Sequence, residues 1–386
     1  MGERRFFPKN LSVSCFWRFF SASRLPAMGI FGIIAWDGSH SLLNSNSYNS
    51  KFLLLIMPDF DWRLFFIPLN MLIGVYLVVG CGAFFRRVGW FPAPAEQPLY
   101  KLTVCVLMPC LIFERILPAN LTGDYQNVVI PPIIGFATSL IGVILGYSLG
   151  LLPRKLTAMN NTKILGTFAA CVCILNYGFV PIPMLRELYD ASDKTHAVLF
   201  IQNLGVEISI WTVVIIAMSG RFDRRSLLRA INPPTCAIVI AVLLNQLGAY
   251  PYIPSFVMYA IKLLGEASLA TSMFLVGISL SDTFDFARII RQWRRVIRIA
   301  FWSCLLRLVI LPAIFVAGAV YAPLTMEMKR VLVIHAAMSS AIFPMVLSRH
   351  YDGDPETALD TILPNCLLAL VTLPFWVCIG LSLVEG

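Results

Sequence analysis

The stretch Leu175–Asp190, LNYGFVPIPMLRELYD, lies inside one of the longest apolar regions of the chain and places Pro181 and Pro183 where a membrane helix would be continuous. A proline in a helix interior removes one backbone hydrogen bond, clashes with the preceding turn and costs about 3 kcal/mol. The interruption recurs in Ser340–Asp354, SAIFPMVLSRHYDGD, where Pro344 sits deep in another apolar segment. Side by side, VPIPMLRELYD and AIFPMVLSRHYD share a Pro-Met, a gap of four or five residues and a Tyr-Asp.

Composition sets the surroundings of both segments. Of 386 residues, 58% are hydrophobic and 13% charged, whereas a soluble domain carries roughly 25% charged residues. The chain therefore reads as an all-α polytopic membrane protein with the lipid bilayer as a partner. Spans of about 20 apolar residues, the length a bilayer requires, are expected near 62–85, 98–117, 126–151, 163–186, 196–219, 233–250, 255–280, 296–321, 327–349 and 359–383. The net charge of +9 would suggest nucleic acid in a soluble protein. Here Lys and Arg lie mostly between apolar segments and read as a topology signal, with no nucleic-acid partner. The ten cysteines fall mostly inside apolar segments and form no CxxC pair. They read as small apolar filler, not as metal ligands or a disulfide framework.

Cytoplasmic loops are enriched in Lys and Arg. The loops after spans 1, 3, 5, 7 and 9 hold about sixteen of them, Arg154, Arg224, Arg294 and Arg295 included, and the intervening loops about five, Arg115 and Arg186 included. This bias predicts odd loops in the cytoplasm and both ends of the ten-span core outside. Residues 1–57 do not fit the pattern: they are basic, with one short apolar run, PAMGIFGIIAW. Either they form a signal peptide or translation starts at Met57; the charge bias favours the second.

Spans 4 and 9 are five apart. Five is odd, so a duplicated five-span unit would enter the membrane in opposite orientation the second time, as in an inverted repeat whose discontinuous helices build a substrate site near the bilayer midplane. The repeats would be 58–220 and 221–386. Breaking a helix in hydrocarbon frees N–H and C=O groups that each cost several kcal/mol if unpaired. The N-terminal end of a half-helix offers donors and positive dipole, which suits a carboxylate. The alternative is a pair of ordinary proline kinks satisfied by neighbouring helices.

On this reading the anion site comprises Asn176, Tyr177, Gly178, Pro181 and Pro183 on span 4, and Ser339, Ser340, Ile342 and Pro344 on span 9. The amide of Asn176 can ligate a carboxylate or serve helix packing. Gln202 and Glu207 on span 5 face span 4 by sequence proximity. An ionisable residue inside a span is a functional hypothesis by default, and Glu207 could carry a proton or stay a neutral, hydrogen-bonded acid. Glu266 and Arg307 could pair across spans 7 and 8, structurally or in gating. His335 reads as a helix-contact residue or a proton relay. Glu114 and Lys262, nearer helix ends, are expected to reach toward headgroups. Gly142, Gly146 and Gly150 form a small-residue face on span 3. No Walker loop, HExxH or GxSxG occurs; neither ATP-driven transport nor hydrolysis is expected, and no cofactor or metal.

Taken together, these residues resemble the auxin efflux carrier family of plant auxin exporters and bacterial organic-acid permeases. The likeness covers roughly residues 62–383. It is carried by NYGFVPIPMLRELYD, by Asn232-Pro233-Pro234-Thr235 at the start of span 6, by GEASLATSMFLVGISL in span 7, by Arg307 five residues before Pro312, and by IFPMVLSRHYDGDP in span 9. The resemblance implies ten helices in two inverted five-helix repeats, with helices 4 and 9 broken at their prolines and crossing. It implies a scaffold domain (helices 1, 2, 6, 7), a transport domain (helices 3–5 and 8–10) and a homodimer. It matches Asn176 to the family's substrate-contacting asparagine, whereas Glu207 stands where plant members are expected to carry glutamine. The resulting expectation is a non-enzymatic secondary carrier of small organic anions in the cell membrane, of bacterial inner-membrane type. A sodium-coupled organic anion symporter of the bile-acid type and a non-transporting membrane sensor are the competing readings.

Overall fold

The computed structural model describes residues 62–159, 161–190, 192–220, 228, 231–283 and 286–385, all within one compact unit, Asp59–Gly386. The expectation for residues 1–57 lies outside them. Helix α1 is Trp62–Arg87. Ala93–Leu102, a π turn at Thr103–Leu107 and Met108–Ile116 follow one another as α2. Helix α3 is Tyr125–Leu151. The fourth expected span holds two helices, α4 (Thr162–Cys173) and α5 (Pro181–Leu188). Next come α6 (Thr195–Ser219) with a π turn at Ile210–Val214, α7 (Pro233–Gln246) and α8 (Ser255–Thr283). Helix α9, Trp293–Tyr321, has a π turn at Leu306–Ile310. The ninth expected span also holds two helices, α10 (Met326–Ala337) and α11 (Phe343–His350), and α12 is Pro355–Glu385.

Helices α1, α3, α6, α8, α9 and α12 are long and apolar enough to cross a bilayer; the chain is a helical, multi-pass membrane protein. Helix length does not deliver the ten expected crossings. The 14 residues of α7 rise roughly 21 Å, short of the ~30 Å hydrocarbon core. The fourth and ninth spans are each divided, because the chain leaves the helix at Cys173 and Ala337.

Capping fixes where the segments start. Asn161 Oδ1 accepts the Ile164 N–H at the start of α4, and Thr325 Oγ1 accepts the Met328 N–H at the start of α10, each satisfying a donor the helix itself leaves free. The π turn of α9 precedes Pro312, which lacks an N–H for the carbonyl of Leu308. That carbonyl accepts Trp376 Nε1–H of α12 at 2.7 Å instead.

Small residues set which helices touch. Glycine-mediated backbone approach replaces the hydrophobic driving force that lipid removes. Helices α1 and α8 meet at Gly82 and Gly277: a Cβ on Gly277 would lie 1.9 Å from the Val79 carbonyl oxygen. Gly142, Gly146 and Gly150 of α3 lie against Cys173, Ala169 and Leu165 of α4, one turn of each helix per contact. Gly205 of α6 rests on the carbonyl of Pro132 in α3. Thus α1 packs on α8, α8 on α2 and α2 on α7; α3 packs on α4 and α6, α9 and α10 pack on α12, and α12 also meets α1 and α4. Gly277→Leu is expected to force α1 and α8 apart and to lower the melting temperature of the detergent-purified protein by several degrees, as overpacking costs about 1–3 kcal/mol. An unchanged melt would mean that this contact is dispensable.

Candidate functional site

Residues 174–180 join α4 to α5, and residues 338–342 join α10 to α11. Helix-free backbone in an apolar interior must find partners, and here the two linkers supply them to each other. Asn176 N–H donates to the Ser339 carbonyl and Ala341 N–H to the Ile174 carbonyl, both at 2.9 Å. Leu175 and Ser340 thereby form an antiparallel bridge, each only 1% exposed.

The carbonyls at the end of α10 need a further donor, and Arg307 provides it. Fully buried in the π turn of α9, Arg307 donates Nε–H to the Met338 carbonyl at 2.9 Å and Nη2–H to the His335 carbonyl at 3.0 Å. A cation at a helix C-terminus meets both the dipole and the unpaired carbonyls. The expected pairing of Arg307 with Glu266 is therefore corrected. Arg307 makes no ion pair, and Glu266 is exposed on α8, close enough to Glu114 and Arg115 to act on their charges. His335 is buried and enters through its carbonyl.

Asn176 turns its Oδ1 toward its own linker, accepting the Phe179 N–H three residues on at 3.2 Å, a local side-chain-to-backbone bond. Its Nδ2 makes no hydrogen bond among the described residues. A Cβ on Gly178 would touch nothing within 4 Å, so open space borders the linker there. Tyr177 donates its hydroxyl to Glu207 Oε1 at 2.6 Å, and its carbonyl accepts Asn203 Nδ2–H at 3.1 Å. Glu207 Oε2 accepts Trp211 Nε1–H at 3.0 Å and Asn232 Nδ2–H at 3.5 Å. Each of these contacts offers a donor to the carboxyl group.

The prolines at the start of α5 modify the expectation of free donors. Pro181 and Pro183 have no N–H, and the intervening Ile182 N–H is held by the Gly178 carbonyl at 3.3 Å. The end of α5 therefore contributes dipole more than hydrogen bonds. Pro344 is buried as the second residue of α11, and half-buried Ile342 accepts Met345 N–H. Ser339 and Ser340 are buried against α12: Asn365 Nδ2 donates to Ser340 Oγ at 3.3 Å, and Ser339 Oγ lies 3.8 Å from Cys366 Sγ. Gln202 is 0% exposed, with its side chain against α3 at Gly135 and its amide buried without a hydrogen-bond partner among the described residues.

The structure thus gathers Asn176, Tyr177, Gly178, Glu207, Ser339 and Ser340 around the paired linkers; Gln202 lies buried against α3, and Glu266 is exposed on α8. It adds Asn203, Trp211, Asn365 and Tyr76, whose hydroxyl reaches the Cys366 carbonyl. The sequence carries a signal for the two asparagines: Thr195 precedes Asn203, and Thr357 precedes Asn365, by eight residues in the helix after each linker.

The chain is similar in sequence to known membrane transporters along most of its length. The chain is 26% identical over 306 residues to an uncharacterized transporter of Methanothermobacter thermautotrophicus, covering 79% of this chain and 95% of that protein. It is 22% identical over 318 residues to an uncharacterized transporter of Methanocaldococcus jannaschii, covering 80% and 98%. A shorter stretch of 129 residues is 28% identical to auxin efflux carrier component 1 of Arabidopsis thaliana, 33% of this chain and 20% of that one. Residues 69–228 and 224–377 match the family described as Membrane transport protein, and the chain belongs to that family, the one that includes the auxin efflux carriers.

Proposed function

We propose that this membrane transporter is a secondary carrier of small organic anions, mono- or dicarboxylates or auxin-like acids, working by alternating access. The substrate carboxylate binds where the two broken helices, α4–α5 and α10–α11, cross. The observation that carries this reading is the antiparallel pairing of Leu175 with Ser340, beside which Asn176 keeps unspent donors next to open space. Buried Arg307 and the α5 dipole add positive potential, which favours an anion over a cation.

The ten-span inverted repeat, 58–220 and 221–386, gains support from matched local chemistry after each linker. Asp193 accepts both Thr195 N–H and Oγ1–H and meets Arg330. Asp354 accepts both Thr357 N–H and Oγ1–H and meets Arg295. In this reading helices 1, 2, 6 and 7 (α1, α2, α7, α8) are the scaffold of a homodimer in the cell membrane, with the Arg-rich loops in the cytoplasm. The remaining helices move as the transport domain. Glu207 belongs to the moving part through Tyr177 and touches the scaffold through Asn232. A proton arriving with the substrate would replace one of these donors and release that tie.

The test is uptake of labelled mono- and dicarboxylates into proteoliposomes, with and without a proton gradient. Asn176→Ala is expected to weaken substrate binding about tenfold or more, since a hydrogen bond to a charged group is worth about 1.5–3 kcal/mol. Pro344→Ala, which lets α11 extend toward the linker, is expected to slow uptake. Wild-type affinity and flux in both variants would remove the crossover site. No movement of any acid by wild-type protein would favour a sensor.

A further inference from the structure

Away from the paired linkers, one group of buried charges keeps bonding capacity that the fold does not use. Glu114 and Arg115, in the last turn of α2, meet Arg186 of α5. Glu114 Oε1 lies 3.2 Å from Arg115 Nη2, and Oε2 lies 3.7 Å from Arg186 Nη2. Glu114 was expected to reach toward headgroups; only 11% of its side chain is exposed, and its partners are these arginines. The side chain of Arg115 is 9% exposed. Yet Arg115 Nε, Arg186 Nε and Arg186 Nη2 are buried without a hydrogen-bond partner, as is Glu114 Oε2. The separation of 3.7 Å is too long for a hydrogen bond.

A guanidinium stays protonated in a protein, so its buried N–H groups require acceptors. At these distances two guanidiniums face the one carboxylate of Glu114, and one positive charge is in excess. Neutral water answers the missing bonds but not the charge. The unpaired Nε–H and Nη2–H of Arg186 lie on one edge of the guanidinium, the edge that takes a carboxylate with two parallel bonds.

We propose that Arg115 and Arg186 form a second anion site between α2 and α5 that takes a small monocarboxylate, with Glu114 as the competing internal anion. It shares no residue with the crossover. Because α2 packs with α7 and α8 and α5 begins at the linker, a bound anion would tie these two parts of the protein together.

The experiment is the melting temperature of the full-length protein in detergent, titrated with sodium acetate or sodium chloride at constant sodium, the bulky sulfonate MES balancing the anion. In wild type and in Asn176→Ala, acetate is expected to raise the melting temperature saturably and chloride to do so less. Arg186→Gln is expected to shift half-saturation at least tenfold upward. Glu114→Gln, which removes the internal competitor, is expected to shift it downward, an outcome that a purely structural ion cluster would not give. An unchanged titration in Arg186→Gln, a weaker one in Glu114→Gln, or loss of the response in Asn176→Ala alone would overturn the site. An equal response to chloride would overturn its preference for carboxylate.

Discussion

Arg307→Met is expected to destabilise the protein by about 3–5 kcal/mol, the largest effect of any single substitution considered. Two charge-assisted bonds, each worth about 1.5–3 kcal/mol net of desolvation, disappear at once. The carbonyl of Met338 is then left unpaired at the end of α10, and that of His335 keeps only the Met338 N–H at 3.3 Å. Arg307→Lys retains the charge, but a single ammonium lacks the fork that reaches both carbonyls, so an intermediate loss is expected. Thermal denaturation and the monodisperse yield after detergent extraction measure both. A methionine variant as stable as wild type would show that the end of α10 is satisfied by other means.

The second large effect is expected at Glu207, where Tyr177, Trp211 and Asn232 all donate. Glu207→Gln puts an NH2 group in place of one carboxylate oxygen; the Tyr177 hydroxyl can turn to accept from it, so the geometry is kept while the negative charge and the proton-accepting group are lost. Carboxylate uptake into proteoliposomes is expected to fall about tenfold, corresponding to about 1.4 kcal/mol, and to lose whatever dependence on pH the wild type has. Tyr177→Phe removes one donor and leaves the charge, so it should reduce uptake while keeping the pH profile. Wild-type uptake with an unchanged profile in Glu207→Gln would exclude this carboxylate from coupling.

What the sequence revealed, and what it hid, follows from the range of the interactions involved. Hydropathy and scarce charge are summed over the whole chain, so membrane class and helicity could be read from composition, and ordered motifs such as Asn232-Pro233-Pro234 pointed to the family. The partner of Arg307 could not be read. A search for opposite charge finds Glu266, whereas the groups actually bound are backbone carbonyls, which leave no mark in the residue types. Glu114 misled for a related reason. Its position near a helix end suggests headgroups, and only packing reveals that Arg186, 72 residues on, lies against it. Asn203 and Asn365 sit on helices whose facing depends on which neighbour the small residues admit, Gly205 against Pro132 being the contact that orients α6. Their common spacing from a threonine becomes meaningful only when each is seen beside a linker.

The proposed carrier mechanism requires the two linkers to lie side by side, and cysteine cross-linking tests that most directly. The bonds from Asn176 and Ala341 make Leu175 and Ser340 a non-hydrogen-bonded antiparallel pair, whose Cα atoms are expected about 4.5 Å apart, within disulfide range. In a chain whose ten native cysteines are replaced, Leu175→Cys with Ser340→Cys is predicted to yield an intramolecular disulfide in folded, membrane-embedded protein, identified by mass spectrometry of the linked peptides. Folded protein in which both thiols remain free under oxidant that reaches buried sites would contradict the pairing, and with it the seat proposed for the anion.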